Sequence, residues 1–129
     1  RYFSSAASDV YKRQEFFHEI RGLKVSSHFV IDRTGKIYQF VSVYDRAWHA
    51  GASSFKNQEN CNDFSLGIEL IGSDNTPFED NQYESLNKLI EILCSSFPEI
   101  KKENIVGHSE IAPDRKTDPG PFFDWSKIR

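Results

Sequence analysis

The spacing of hydrophobic and polar residues divides most of this chain into strand-like and helix-like segments. Four segments have the β-branched, aromatic or alternating pattern of strands: 26–32, 36–43, 62–72 and 104–106. Two segments have helical spacing: 15–21 and 81–97. Residues 33–35 are predicted to form the turn of a hairpin between the first two strands. This order predicts one α/β domain with a mixed central β-sheet flanked by helices.

The segment 81–97 is the clearest helix. Its apolar residues recur at intervals of three or four and would form one buried face: Tyr83, Leu86, Ile90, Leu93 and Phe97. Asn81 followed by Glu84 resembles a capping box, and Pro98 cannot continue a helix. We therefore predict a helix that starts near Asn81 and covers the sheet with this face.

Residues 1–14 differ from the rest of the chain. They are small, polar and aperiodic, and no turn or cap leads from them into the next element. This composition is typical of a disordered terminus. The hydrophobic pattern begins at Glu15, so we expect the folded domain to span residues 15–129.

Composition excludes several classes of protein. The chain has 129 residues, which fits one domain, and its 16 basic and 19 acidic residues give a net charge of −3. Without a basic stripe, nucleic acid is not an expected partner. No apolar run approaches the ~20 residues that span a bilayer, and the first residues lack the order of a secretory signal. Cys61 and Cys94 are too few for a disulfide framework. One bridge between them is the alternative to the two buried thiols that we expect in a cytoplasmic protein. The sequence does not give the oligomeric state, and we expect a monomer.

The loop 107–120 has the highest density of reactive side chains. His108 and Asp118 offer nitrogen and carboxylate ligands of the kind that zinc takes, although a core histidine and a capping aspartate would give the same pattern. Lys116 lies two residues before Asp118 and could point into the same pocket. A cation there would stabilise an oxyanion during attack on a carbonyl. A solvated surface lysine is the alternative.

Glu69 interrupts the apolar strand 62–72. A buried carboxylate costs several kcal/mol unless it is paired or protonated, so such residues are found mainly where they take part in chemistry. The alternative is a glutamate at a strand edge that reaches solvent.

Trp48 and His49 form a third cluster, in a loop of small residues. An aromatic ring beside a histidine fits the wall of a sugar- or peptide-binding cleft, and it fits a buried packing loop nearly as well. His28 lies inside an apolar strand, where a hydrogen-bonded core histidine is expected rather than a ligand.

The chain resembles the AmpD-type 1,6-anhydro-N-acetylmuramyl-L-alanine amidases in four segments, in this order: VSSHFVIDRTGKIYQFV, DRAWHAG, CNDFSLGIELIGSD and GHSEIAPDRKTDPGPFFDW. These enzymes belong to the superfamily of type 2 amidases and peptidoglycan recognition proteins. The similarity runs from about Glu15 to Arg129. It implies zinc-dependent hydrolysis of the amide bond between (1,6-anhydro-)N-acetylmuramic acid and L-alanine in muropeptides, as part of peptidoglycan recycling.

The resemblance also implies a role for each reactive residue. His108 and Asp118 correspond to two of the family's three zinc ligands. Glu69 corresponds to the carboxylate that takes a proton from zinc-bound water. Lys116 corresponds to the cation that stabilises the tetrahedral oxyanion.

Four residues correspond to the family's substrate-binding positions: Trp48, His49, Lys24 and Asn60. Trp48 and His49 match the loop of the substrate cleft. Well-studied members of the family carry arginines at the positions of Lys24 and Asn60, where they help to recognise the stem peptide. Lys24 keeps the charge of an arginine but cannot make the two parallel hydrogen bonds of a guanidinium group, and Asn60 keeps neither property. The stem-peptide preference is therefore expected to differ.

One departure from the family concerns the metal. The family's first zinc ligand is a histidine on an N-terminal strand, whereas residues 1–14 contain no histidine and resemble nothing in the family. Catalytic zinc takes three protein ligands and water. We therefore expect residues 1–14 to be foreign to the domain and the domain at 15–129 to lack its N-terminal strand. With one zinc ligand missing, we expect this chain to bind zinc weakly and to have little amidase activity.

Two other functions fit the same resemblance. Members of the superfamily that have lost zinc ligands bind peptidoglycan without cutting it, although such a module has no use for the catalytic carboxylate and lysine. A lytic cell-wall amidase is the second alternative, and it predicts an export signal or an added wall-binding region.

Overall fold

The computed structural model describes residues 27–129 and, as backbone, the strand Tyr2–Ala6. These residues form a main sheet from β1 (Tyr2–Ala6), β2 (Phe29–Ile31), β3 (Ile37–Gln39), β6 (Gly67–Ile71) and β7 (Val106–Gly107). A separate hairpin consists of β4 (Ser54–Phe55) and β5 (Gln58–Glu59). The helices are α1 (Asp80–Ser96) and α2 (His108–Ile111), and 3₁₀ turns occupy Cys61–Asp63, Lys102–Asn104 and Trp125–Lys127.

The main sheet has the strand order β3-β2-β6-β1-β7. Strands β2, β6, β1 and β7 are parallel to one another, whereas β3 pairs with β2 in the antiparallel direction. The sheet is therefore mixed, and with α1 packed against one face it confirms the predicted α/β domain. The predicted helix at 15–21 and the residue Lys24 lie outside the described residues.

Strand β1 differs from the expectation that the N-terminus is disordered and that the N-terminal strand is missing. It lies inside the sheet, between β6 and β7, and pairs in parallel with β6 from Tyr2↔Gly67 to Ala6↔Ile71. Strands β6 and β7 are separated by a gap the width of one strand, so without β1 their facing edges would have unpaired backbone groups. A backbone in this gap satisfies those groups whatever side chains it carries. Composition therefore gave no sign of this strand. The foreign origin of residues 1–14 as a whole stays a prediction.

Strand β6 is the centre of the domain, and all five of its residues are buried. On one face Ile68 and Leu70 join the main hydrophobic core with the inward face of α1. On the other face Ile71 packs with Val30. Burial on both faces confirms the prediction made from its apolar sequence. Because side chains alternate along a strand, Glu69 lies on the face that is turned away from α1.

Helix α1 begins slightly earlier than predicted, and its cap involves other residues. The capping pair is Glu79 and Gln82, not Asn81 and Glu84, and the Glu79 backbone N–H donates to Gln82 Oε1 at 2.9 Å. Gln82 is fully buried, and its Nε2 also donates to the Ile71 carbonyl at the end of β6, at 2.8 Å. This tie between helix and sheet depends on tertiary structure, so the local sequence could not show it.

The hairpin turn at 33–35 is confirmed. Asp32 is buried, and its Oδ1 accepts hydrogen bonds from the backbone N–H groups of Thr34 at 2.8 Å and Lys36 at 3.0 Å. Gly35 has a φ of +89°, which favours glycine. The strands on either side are shorter than predicted, because only three residues of each pair in the ladder.

Two further observations concern the chain as a whole. Cys61 is buried, Cys94 is half-buried, and both are free thiols, as predicted. No helix in the described part of the chain is long and apolar enough to cross a membrane.

Candidate active site

The reactive loop begins where β7 ends. The Gly107 backbone N–H donates to Glu110 Oε2 at 2.6 Å, which fixes the first turn of α2. A Cβ atom at position 107 would lie 2.8 Å from Pro119 Cδ and 3.2 Å from Trp125 Cζ2. Only glycine therefore allows the start of the loop to pack against its end. This close approach places His108 beside Asp118.

His108 and Asp118 are in contact, as the sequence predicted. His108 is buried, with 5% of its surface exposed, and its Nδ1 lies 3.2 Å from Asp118 Oδ2. Its other ring nitrogen, Nε2, lies 3.1 Å from the Ala50 carbonyl oxygen. A carbonyl can only accept a hydrogen bond, so Nε2 carries the hydrogen. In the neutral ring, the Nδ1 lone pair therefore faces the carboxylate.

This arrangement favours a cation between the two groups. A lone pair and a carboxylate oxygen 3.2 Å apart repel each other unless a proton or a metal ion lies between them. Nitrogen and carboxylate oxygen are also ligand types that zinc takes, with the remaining ring nitrogen bonded to a carbonyl. His108 and Asp118 therefore fit two positions of a zinc site. Among residues 27–129, however, no group of three or more histidine, cysteine, aspartate or glutamate side chains could hold a metal ion.

Backbone bonds hold the loop that carries Asp118 and Lys116. The Ser109 N–H donates to the Asp118 carbonyl at 2.9 Å, and the Lys116 N–H donates to the Ala112 carbonyl at 2.9 Å. Lys116 is half-buried. Its proposed role at an oxyanion stays a prediction.

Arg115 belongs to the site, although the sequence argument did not single it out. Its Nη2 donates to the Ala50 carbonyl at 2.7 Å and to the Ala52 carbonyl at 2.8 Å. The Ala50 carbonyl is the one that also accepts from His108. Arg115 thus holds in place the group that orients the histidine ring. Its position beside Lys116 was the only available signal.

Glu69 lies close in register to the start of the loop. Glu69 pairs with position 4 of β1, while Ile68 pairs with Phe3, which in turn pairs with Gly107. The strand that leads into His108 therefore ends one register position before Glu69, with β1 between the two strands. Glu69 is 8% exposed on a strand with neighbours on both sides, so the alternative of a solvent-exposed edge glutamate is wrong.

His49 packs on the face of β6 that carries Glu69. A Cβ atom on Gly67 would lie 2.5 Å from His49 Cγ, so the glycine makes room for the ring. Gly67 and Glu69 are two residues apart on one strand and share a face. The loop of Trp48 and His49 therefore lies over the same side of the sheet as Glu69. This contact explains the glycine that interrupts the apolar strand.

Burial controls the protonation of His49. Burial, with the neighbouring His28 and His108 rings, lowers the pKa of His49 to about 3. The His28 and His49 ring centroids are 5.5 Å apart. His28 Nδ1 accepts from the Gly67 N–H at 3.1 Å, so its Nε2 donates to the Asp45 carbonyl at 2.9 Å. His28 is the hydrogen-bonded core histidine that the sequence predicted.

Trp48 lies partly exposed, with 40% of its surface accessible. The Arg46 guanidinium carbon lies 3.9 Å from the centre of the Trp48 ring, and Arg46 Nε donates to Asp63 Oδ1 at 2.8 Å. The loop thus presents a supported aromatic ring, as a cleft wall requires. Its contact with substrate stays a prediction.

Asn60 has a conformational reason to be asparagine. Its φ of +59° is left-handed, and asparagine tolerates this region better than most residues. Its carbonyl accepts from the Asp63 N–H at 2.9 Å, which starts the 3₁₀ turn after β5. The structure does not bring Asn60 into contact with His108 or Asp118, and its role in substrate binding remains untested.

Comparison with known proteins places this site in a family. The family model described as N-acetylmuramoyl-L-alanine amidase matches residues 2–121. A protein of Haemophilus influenzae, named 1,6-anhydro-N-acetylmuramyl-L-alanine amidase AmpD, is 51% identical over 116 residues. The matched part covers 90% of this chain and 63% of that protein, so the chain spans less than two thirds of this relative's length.

Solved structures agree with the sequence match. A crystal structure of a selenomethionine derivative of AmpD superimposes with a TM-score of 0.82 at 38% identity, covering 98% of this chain and 81% of that one. The Escherichia coli amidase AmiD, solved with anhydro-N-acetylmuramic acid-L-Ala-D-gamma-Glu-L-Lys, gives 0.86 at 32% identity, covering 98% and 54%. The chain therefore belongs to the N-acetylmuramoyl-L-alanine amidase family.

Proposed function

We propose that this chain is the amidase domain of an AmpD-type enzyme that hydrolyses the amide bond between (1,6-anhydro-)N-acetylmuramic acid and L-alanine in muropeptides. The observation that carries the proposal is the contact between His108 and Asp118 beyond the end of β7, in a domain whose strand β6 carries the buried Glu69 one register position from Gly107. The relatives named for this reaction support it. Peptidoglycan recycling in the cytoplasm, by a monomer, is the setting we propose.

Zinc is the proposed cofactor, held by His108 Nδ1 and an Asp118 carboxylate oxygen. When bound, zinc polarises a carbonyl and lowers the pKa of water. The described residues supply two ligands of zinc type, and a catalytic zinc takes three. We therefore propose that this chain by itself holds zinc more weakly than a three-ligand site would.

Glu69 is the proposed proton acceptor. Its carboxylate is buried on the face of the sheet that the Trp48–His49 loop covers. A buried carboxylate in that position can take a proton from the attacking water and return it to the leaving amine of L-alanine. Burial also keeps competing water away from the reacting bond.

Lys116 is the proposed stabiliser of the oxyanion. It sits between Arg115 and Thr117, and the side chains of both bond to other parts of the molecule. Its ammonium group would balance the negative charge that develops on the carbonyl oxygen during attack. The supported ring of Trp48 would form one wall of the cleft for the muropeptide.

A peptidoglycan-binding module without activity is the second candidate. The pair of His108 and Asp118 favours it, because the pair offers two zinc ligands where a catalytic zinc takes three. The buried carboxylate of Glu69 favours the enzyme, because a buried charge has a free-energy cost that binding alone does not require.

The test is to incubate the purified chain and excess zinc with anhydro-N-acetylmuramyl-L-Ala-D-γ-Glu-L-Lys. We expect mass spectrometry to detect release of the peptide that begins with L-alanine, and Glu69→Gln to abolish the release. Tight binding of the intact muropeptide with no release, by isothermal calorimetry and mass spectrometry together, would instead establish the binding module.

A further inference from the structure

We propose that Asp74 is a positioning residue, which ties the Lys116–Asp118 segment to strand β6 through the hydroxyl of Thr117. The proposal rests on the proposed amide hydrolysis, because the segment carries the oxyanion lysine and a metal ligand. Neither Asp74 nor Thr117 was among the residues that the sequence pattern selected.

A short hydrogen bond joins the two residues. Thr117 Oγ1 donates to Asp74 Oδ2 at 2.6 Å, across 43 positions of the sequence. Asp74 follows the end of β6, the strand that contains Glu69, by three residues. The bond therefore links the chain segment of the proposed base directly to the segment of the proposed cation.

The turn after Thr117 packs on the same aspartate. Gly120 has a φ of +85°, and a Cβ atom there would lie 2.8 Å from Asp74 Oδ1 and 3.2 Å from Asp74 Cα. The Gly120 N–H donates to the Thr117 carbonyl at 3.0 Å. Asp74 thus contacts the segment at two points, a hydroxyl and a glycine turn.

The location of Thr117 decides what this tie can do. Thr117 lies between Lys116 and Asp118, in a stretch between two turns that is neither helix nor strand. The Asp74–Thr117 bond therefore fixes the backbone between the proposed oxyanion lysine and the proposed metal ligand, and Asp118, the next residue, meets His108.

Arg115 secures the other end of the segment. Its bonds to the Ala50 and Ala52 carbonyls tie that end to the cleft loop. The bond between the Ser109 N–H and the Asp118 carbonyl ties the segment to the start of α2. The Asp74–Thr117 bond adds a direct tie to the end of β6, so its loss should let Lys116 and Asp118 move relative to Glu69.

The bond is exposed, so its effect should be local. Exposed hydrogen bonds contribute little to the free energy of unfolding of a whole domain. Loss of this one should leave global stability nearly unchanged while the segment opens more often. The backbone amides of Lys116 and Gly120 report on the segment, because both donate hydrogen bonds inside it.

The experiment compares Asp74→Ala, Thr117→Val and the double variant with the unaltered chain. Thr117→Ser keeps the hydroxyl and Asp74→Asn keeps an acceptor, so both should restore the behaviour of the unaltered chain. Thr76→Val is the matched control. It removes a hydroxyl from the same loop as Asp74, but this hydroxyl bonds to Ser73 and not to Thr117.

Amide exchange by NMR gives the readout that does not require activity. We expect exchange at Lys116 and Gly120 to accelerate about three- to tenfold in Asp74→Ala and Thr117→Val, the range of one hydrogen bond. The double variant should match the single ones, since both remove the same bond. Unchanged exchange in the single variants, or additive acceleration in the double variant, would overturn the proposal.

Turnover gives the second readout. In zinc-loaded protein we expect kcat to fall about tenfold in Asp74→Ala while KM stays within twofold, because orientation affects the transition state more than binding. Accelerated exchange with unchanged kcat would overturn the positioning role. If the unaltered chain shows no hydrolysis but the exchange pattern holds, the proposed function fails while the tie between Asp74 and Thr117 stands.

Discussion

Strand β6 and the loop from His108 to Gly120 carry different parts of the candidate site, and different forces hold them. The backbone of β6 pairs with a strand on each side, and all its residues are buried. The loop is held by single side chains, above all Arg115 and Thr117, and by a few turn bonds. The position of Glu69 should therefore not depend on any single side chain of the neighbouring strands. A single substitution at a side chain that holds the loop can move Lys116 or Asp118.

The largest effect is expected from the strand, because Glu69 is the group that moves the proton. In zinc-loaded protein, Glu69→Gln should reduce kcat by about 10²- to 10⁴-fold without loss of zinc or of the fold. Steady-state kinetics, elemental analysis and urea unfolding test this, with the exposed Glu99→Gln as control. A loss of zinc together with activity would make Glu69 structural.

The loop side of the comparison is tested by Lys116→Ala. We expect kcat to fall about 10²- to 10³-fold with little change in KM, because the contact with the oxyanion forms only in the transition state. Lys116→Arg keeps the charge and should retain part of the rate. Normal kcat with a raised KM would show instead that Lys116 binds a substrate carboxylate.

The metal tests whether strand and loop share one centre. Position 4 pairs with Glu69 and directly follows the position that pairs with Gly107, so Ser4→His should add a third ligand to the pair of His108 and Asp118. One more ligand contributes roughly 3 kcal/mol, so zinc affinity should rise about 100-fold over that of the unaltered chain.

Competition with a zinc-binding dye measures this affinity. Ser5→His, one residue further along β1, is the matched control and should have little effect. Stoichiometric zinc in the unaltered chain, by elemental analysis, would contradict the two-ligand site and require a ligand from outside the described residues.

The smallest effect concerns the histidine that packs on β6. The unfolded chain takes up a proton at His49 near pH 6.5, whereas in the folded state its pKa is about 3. Stability should therefore be fully present above pH 6.5 and fall by about 1 kcal/mol per pH unit toward pH 5, before carboxylates titrate. Urea unfolding at several pH values measures this slope, and His49→Gln should flatten it. An equal slope in both proteins would contradict the assignment.

The sequence allowed the core to be predicted well, and the roles of the reactive residues stay predictions. Continuous apolar residues around Glu69 predicted a strand buried on both sides, because side-chain hydrophobicity is a local property of the sequence. The spacing of residues in α1 predicted its buried face. The motif between Gly107 and Gly120 predicted that His108 and Asp118 meet.

Other features could not be predicted because the sequence pattern does not encode pairing partners. Strand β1 has no strand-like composition and is placed by the unpaired edges of its neighbours. The cap of α1 uses Gln82, whose side chain also donates a hydrogen bond to the Ile71 carbonyl at the end of β6. The roles of Lys24 and Asn60 in substrate recognition stay predictions. The left-handed backbone conformation at position 60 is by itself a reason for asparagine there.

The sequence by itself determined which chemical groups this protein has and which segments bury their apolar faces, since both follow from residue type and local period. Only the tertiary structure decided how those groups are oriented. The Ala50 carbonyl selects the nitrogen of His108 that faces Asp118 across 58 positions of the sequence, and Asp74 holds Thr117 across 43. Contacts at such separations form only after long loops have closed, so no local pattern can specify them.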